Sequence, residues 1–147
     1  MLIKLKQDMA KKDIEVTIEY PVKDKTVDRI ISLVKSADVQ IECYLDDSTK
    51  LINVSEIYHV ESIDKKTVIF DEKQSYYSKN RLYQLYEKLR NKGFVQISKY
   101  CIVNINKLER ITPMANSHLE AVLSNGTSLY VTRKYLADIK NALKEGE

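Results

Sequence analysis

The sequence predicts an α+β protein that is mostly β, with antiparallel sheets and short helices over residues 51–147 and a small α/β attachment over residues 1–50. Three observations predict it. From Ile57 onward, short runs rich in β-branched and aromatic residues recur between turn signals, which is the texture of an antiparallel assembly. Asn125-Gly126, between two such runs, is the strongest hairpin signal in the chain, because a tight type I′ turn needs positive φ at both central positions. Before residue 50, alternating segments flank a single stripe of helical period. At 147 residues the chain makes one domain, or one domain with a small appendage.

In chain order, Leu2, Ile3 and Leu5 suggest a short strand. Ile14 to Tyr20 alternates apolar and polar residues, which predicts a second strand with a wet face, ended by Pro21. Asp24 or Thr26 can cap a helix whose Val27, Ile30, Ile31 and Val34 recur at i, i+3, i+4, i+7. After Ser36-Ala37-Asp38, Val39 to Leu45 reads as a strand, and Asp46-Asp47-Ser48 turns it into Lys50 to Val54. This opening portion carries no catalytic or metal pattern and suits contacts between protomers.

Ile57 to Ser62 and Thr67 to Phe70 form a hairpin with Asp64-Lys65-Lys66 at its tip. Gln74 to Ser78 is a polar, tyrosine-bearing strand or loop. Asn80 offers an N-cap to a helix with Leu82, Leu85, Tyr86 and Leu89 on one face and Arg81, Lys88 and Arg90 on the other, stopped by Gly93. Phe94 to Asn104 alternates at first and ends in an apolar pair closed by Asn104, so it predicts a strand entering a turn. Leu108 to Thr112, Leu119 to Leu123 and Thr127 to Val131 are further strands. Thr132 is a good N-cap for a last helix whose apolar face is Tyr135, Leu136, Ile139 and Leu143.

Composition excludes several functions. With 44% hydrophobic and 31% charged residues the chain is neither disordered nor membrane-spanning. Lysines interrupt the apolar residues of Met1 to Lys6, so no signal-peptide core forms and a cytoplasmic location is expected, without membrane insertion. Cys43 and Cys101 are too few and too far apart for a zinc motif and are expected to be packing residues. His59 sits in a strand without an acidic or cysteine partner at ligand spacing, and His118 is a loop residue. There is no Gly-rich phosphate loop and no paired nucleophile, so neither an enzyme, a metal nor a cofactor is expected.

The charge is uneven. Residues 1–72 hold 11 Lys and Arg against 15 Asp and Glu, whereas residues 73–147 hold 13 against 6, so the second half is the one suited to a polyanion. Within Phe94 to Asn104, Ser98, Lys99 and Tyr100 set a hydroxyl, a cation and a phenol between apolar anchors, an outcrop able to meet a phosphate or a base edge in fixed register. An ordinary amphipathic strand with its polar side in water fits the same residues. Lys65 and Lys66 put cations on a hairpin tip, where lysines also serve solubility alone. Arg133 and Lys134 open the last helix, where cations oppose the macrodipole unless an anion binds. Arg133 could equally pair with a carboxylate.

Taken together, Ile57-Tyr58-x-x-Glu61-Ser62, Leu82-x-x-Leu85-x-x-x-Leu89 running to Gly93-Phe94, Ile97-Ser98-Lys99 to Ile102-Val103-Asn104, Asn125-Gly126 and Val131-Thr132-Arg133-x-Tyr135 resemble, in order and spacing, the LytTR-type DNA-binding domain of bacterial transcription regulators. The resemblance covers about Asn53 to Leu143. It implies elongated, mostly antiparallel sheets that bind double-stranded DNA through loops entering successive major grooves. Its three contact points fall on Lys65-Lys66, on Lys99 with Ser98 and Tyr100, and on Arg133. Gln96 stands where many relatives carry arginine, and Tyr100 where a small hydroxyl residue is frequent. The roughly 50 preceding residues are too few for a receiver domain, so the resemblance implies a stand-alone, homodimeric, sequence-specific regulator, of a type linked to a neighbouring membrane-protein gene. The competing expectation is a protein-interaction or ligand-sensing module whose basic half docks on an acidic partner.

Overall fold

The computed structural model describes residues 1–37, 39–115 and 118–144, and Asp38 of the expected Ser36-Ala37-Asp38 break lies outside them. The chain folds as α1 (Lys25–Ser36), β1 (Gln40–Leu45), β2 (Ser48–Asn53), β3 (His59–Ile63), β4 (Lys66–Phe70), β5 (Ser75–Ser78), α2 (Leu82–Leu89), β6 (Phe94–Ser98), β7 (Cys101–Asn104), β8 (Leu108–Pro113), β9 (Leu119–Leu123), β10 (Ser128–Val131) and α3 (Leu136–Lys144). All strands pair antiparallel, in a seven-stranded sheet of order β2-β1-β5-β4-β3-β7-β6 and a three-stranded sheet of order β10-β9-β8. The mostly β, antiparallel α+β class is therefore the one observed. A boundary after residue 50 would run through the β1–β2 hairpin, whose two strands both belong to the large sheet.

Two cores sit on the two faces of that sheet. On one face Ile41, Cys43, Ile52, Val60, Ile69, Tyr76 and Ile102 pack against Leu82, Leu85 and Leu89 of α2. On the other, Val95, Ile97, Cys101 and Val103 pack against Ala121, Leu123, Leu129 and Val131 of the small sheet and Ile139 of α3. Strands β6 and β7 are thus covered on both sides, which explains why Cys101-Ile102-Val103 is a continuous apolar run. Burial pushes the Cys101 thiol well above its ordinary range, and both cysteines are free and buried, as packing residues should be.

Several details depart from expectation. Residues 1–24 contain no strand, so the alternation of Ile14 to Tyr20 has no partner to pair with. The stretch Phe94 to Asn104 is two strands with a turn at Lys99-Tyr100, and a register shift lies between Gln96 and Ser98. Of Asn125 and Gly126 only the glycine has positive φ (89°), with Asn125 Oδ1 accepting from the Thr127 N–H instead. Helix α2 starts one residue later than an Asn80 cap implies, and Gln84 Oε1 accepts from the Arg81 N–H. Asp24 Oδ1 does cap α1, accepting from Val27 at 2.9 Å. His59 has an acidic neighbour after all, because period-2 geometry puts Glu61 on its face, 3.1 Å away, while Phe70 stacks on its ring. His118 lies against the Tyr130 ring.

Candidate nucleic-acid interface

The register decides where the suspected residues go. Strand β3 runs into a two-residue turn, Asp64-Lys65, with Ile63 opposite Lys66 as the closing pair. Both turn residues have positive φ, 51° and 67°, so this is the type I′ geometry that matches strand twist, built without glycine. Lys66 is consequently the first residue of β4, not part of the loop. Because β7 is antiparallel to β3, the β6–β7 turn lies at the same end of the sheet, and the Ser62 N–H donates to the Tyr100 carbonyl at 2.8 Å. Gln96 Nε2 donates to the Ser98 carbonyl and the Tyr100 N–H to Ser98 Oγ, which fixes the turn that displays Lys99.

The third segment joins through β6. The Thr132 N–H donates to the Ile97 carbonyl at 3.0 Å, so Arg133 and Lys134 follow beside the end of β6. The expected helix start is modified here. Thr132 makes no side-chain capping bond, and Arg133–Tyr135 is a 3₁₀ turn leading into α3. Lys65, Lys66, Ser98, Lys99, Tyr100, Arg133 and Lys134 therefore gather at one end of the large sheet, all exposed except the half-buried Ser98.

Two more cations join them: Arg81, which the sequence places on the polar face of the second helix, and Lys79, which it does not single out. Thr67 pairs with Ser78, so the chain leaving β5 reaches the same end, and Lys79 and Arg81 line one concavity with Lys65, Lys66 and Tyr77. The pairing of β4 with β5 is the signal that would have found them. Among the described residues no carboxylate lies within ion-pair distance of Lys65, Lys66, Lys79, Lys99 or Lys134. Instead Lys66 sits over Tyr77, Lys99 over Tyr100 and Lys134 over Tyr135, each at 5.5 Å from the ring centroid, and Lys79 over Tyr44 at 4.7 Å. Among the described residues there is also no cluster of metal-ligating side chains.

Comparison with known proteins agrees with this architecture. The LytTr DNA-binding domain family matches residues 47–144. The sensory transduction protein LytT of Bacillus anthracis is 28% identical over 116 residues, 76% of this chain and 47% of that protein. The chain thus spans about half the length of the LytT proteins it matches. An uncharacterized HTH-type transcriptional regulator of Staphylococcus aureus is 31% identical over 130 residues, covering 87% of this chain and 88% of the relative. In fold, a solved LytTr DNA-binding domain from Bacillus cereus superposes with a TM-score of 0.67 at 23% identity, over 71% of this chain and 95% of that one. The chain belongs to the LytTR DNA-binding domain family.

Proposed function

We propose that the protein is a cytoplasmic transcription regulator that binds double-stranded DNA in a sequence-specific manner, as a homodimer on paired sites. The observation that carries this reading is the convergence of three cationic segments at one sheet end, tied together by the Ser62–Tyr100 and Thr132–Ile97 backbone hydrogen bonds. Hairpin tips on a doubly covered sheet can enter major grooves, and phosphates flanking them would meet Lys65, Lys66, Lys79 and Arg81. Arg133 is the candidate base reader, through bidentate contact to a guanine edge. The staphylococcal relative is called HTH-type, whereas here no two α-helices follow one another among the described residues; in this reading the contact is made by the two hairpin tips and by the 3₁₀ turn that carries Arg133. No helix among them is long and apolar enough to cross a membrane.

The test is a binding titration against a duplex selected by the protein from random DNA, compared with unselected duplex over a range of salt. Arg133→Ala is expected to lose preference between the two, by about tenfold to a hundredfold for roughly 1–3 kcal/mol of base discrimination. Lys66→Ala is expected to weaken both equally and to lower the salt slope by about one. Equal losses on both duplexes for Arg133→Ala would remove its base-reading role.

A further inference from the structure

The first 24 residues are the least explained part of the molecule. Of the large apolar side chains left exposed, nearly half lie between Met1 and Val22, including Ile3, Leu5, Ile14, Val16 and Tyr20, at 47% to 92% exposure. Within this arm the backbone makes a local turn, the Lys11 N–H donating to the Asp8 carbonyl. Yet the pattern is that of β-structure. Ile14, Val16, Ile18 and Tyr20 fall on one side of an extended segment with Glu15, Thr17 and Glu19 on the other, and Ile3 and Leu5 alternate with Lys4 and Lys6.

We propose that this arm is the dimerisation element, and that its occupant is the arm of a second copy, the lysine strand of each chain pairing with the glutamate strand of the other. This rests on the homodimeric reading above and supplies its interface. Charge selects the pairing. Two copies of 14–20 pairing antiparallel about Thr17 would set Glu15 against Glu19, and two copies of 2–6 would set Lys4 against Lys4, both unfavourable. Lysine strand against glutamate strand puts opposite charges on one face and Ile3, Leu5, Ile14, Val16, Ile18 and Tyr20 on the other, and reciprocal exchange closes a two-fold dimer. A lone two-stranded hairpin is marginal in water, whereas four strands with one apolar face backed by helices are stable. The helices are at hand. Helix α1 follows the arm directly and leaves Leu33 and Val34 partly uncovered, at 42% and 38%. The exposed Lys11–Glu15 pair of the single chain, at 3.0 Å, is the contact exchange would replace.

The test is sedimentation of the 147-residue chain and two charge-reversed variants, Lys4→Glu with Lys6→Glu, and Glu15→Lys with Glu19→Lys. The wild type is expected to dimerise, and each variant alone to associate at least about tenfold more weakly. Mixing the two variants one to one is expected to restore a heterodimer, because every exchanged strand then meets its opposite charge. A monomeric wild type, variants that dimerise unchanged, or a mixture that stays monomeric would each overturn the proposal. The last would point to a hairpin within one chain. Arg133→Ala, in contrast, is expected to lose base preference while dimerising like wild type, so that failure of the arm and failure of the DNA-facing end are distinguishable.

Discussion

Lys65 offers a test in which stability and binding move in opposite directions. It occupies the second position of a type I′ turn with φ of 67°, where a side chain with a Cβ costs roughly 1–2 kcal/mol and glycine costs nothing. Lys65→Gly relieves that strain but adds freedom to the unfolded chain, which offsets about 0.4–1 kcal/mol, leaving a net gain on the order of 0.5–1 kcal/mol. For a chain of this size the melting temperature should rise by about 1–4 °C. At the same time one cation leaves the proposed interface. A single phosphate contact scales with salt to the power of about −0.9, so affinity near 0.15 M salt should fall about fivefold on specific and random duplexes alike. Thermal unfolding by circular dichroism and fluorescence anisotropy measure the two effects. Lys65→Ala is the control, since it keeps the Cβ and loses the charge: the same loss of binding is expected without the gain in stability. Equal stabilisation by alanine and glycine would refute the strain argument, and unchanged affinity in both would take the hairpin tip out of the interface.

Two further substitutions probe the scaffold. Gly93 has φ of 88°, and a Cβ there would lie 3.1 Å from both Ser32 Oγ and Asn106 Nδ2, whereas Gly126, at 89°, has open space around it. Gly93→Ala should therefore cost more than the roughly 1–2 kcal/mol of conformation alone that Gly126→Ala costs, as read from urea midpoints at constant slope. Asn104 is buried, its Nδ2 donating to the Ile57 carbonyl at 2.8 Å and its Oδ1 accepting from the Asn106 N–H at 3.0 Å. Asn104→Ala leaves both partners unmatched and should cost about 2–4 kcal/mol in the same assay, with wild-type affinity for DNA once folded.

The elements whose faces are settled by their own period were legible: α1 through Val27, Ile30 and Ile31, α2 through Leu82, Leu85 and Leu89, and the strands from β1 to β4 within a residue or two, while β5 reads as either strand or loop. What was not legible depended on partners. Ile14 to Tyr20 has the alternation of a strand, but alternation reports which face would be buried, not whether a neighbour exists, and the single chain supplies none. Phe94 to Asn104 hid a hairpin because its turn, Lys99-Tyr100, carries none of the glycine, asparagine or proline that marks most turns, and the register shift between Gln96 and Ser98 does that work instead. Lys79 is not singled out by the sequence and Arg81 reads as a helix-face residue, because only the Thr67–Ser78 pairing brings them beside Lys65 and Lys66. Within the candidate interface, residue types singled out Lys99 and Arg133, while their sharing an end follows from the β6–β7 turn and the Thr132–Ile97 hydrogen bond.

The tyrosines explain how that end can stay both ordered and charged. Lysines held by carboxylates would be fixed in place but neutralised, and a phosphate would then have to break an ion pair before it gained one. Lysines left free in solvent would keep their charge but give up rotamer freedom on binding. Here Lys66, Lys79, Lys99 and Lys134 each lie over a tyrosine ring. A cation over a ring gains about 0.5–1 kcal/mol at an exposed site, enough to bias the rotamer, and the ring carries no net charge to cancel the ammonium. The chain has ten tyrosines, two phenylalanines and no tryptophan, and the phenol suits this use, since its ring can lie half-buried while its hydroxyl stays wet. Tyr77 and Tyr100 are about half exposed, as that arrangement requires. Strand pairing and the Thr132–Ile97 hydrogen bond thus bring the cations together, and the tyrosines bias their rotamers without neutralising them.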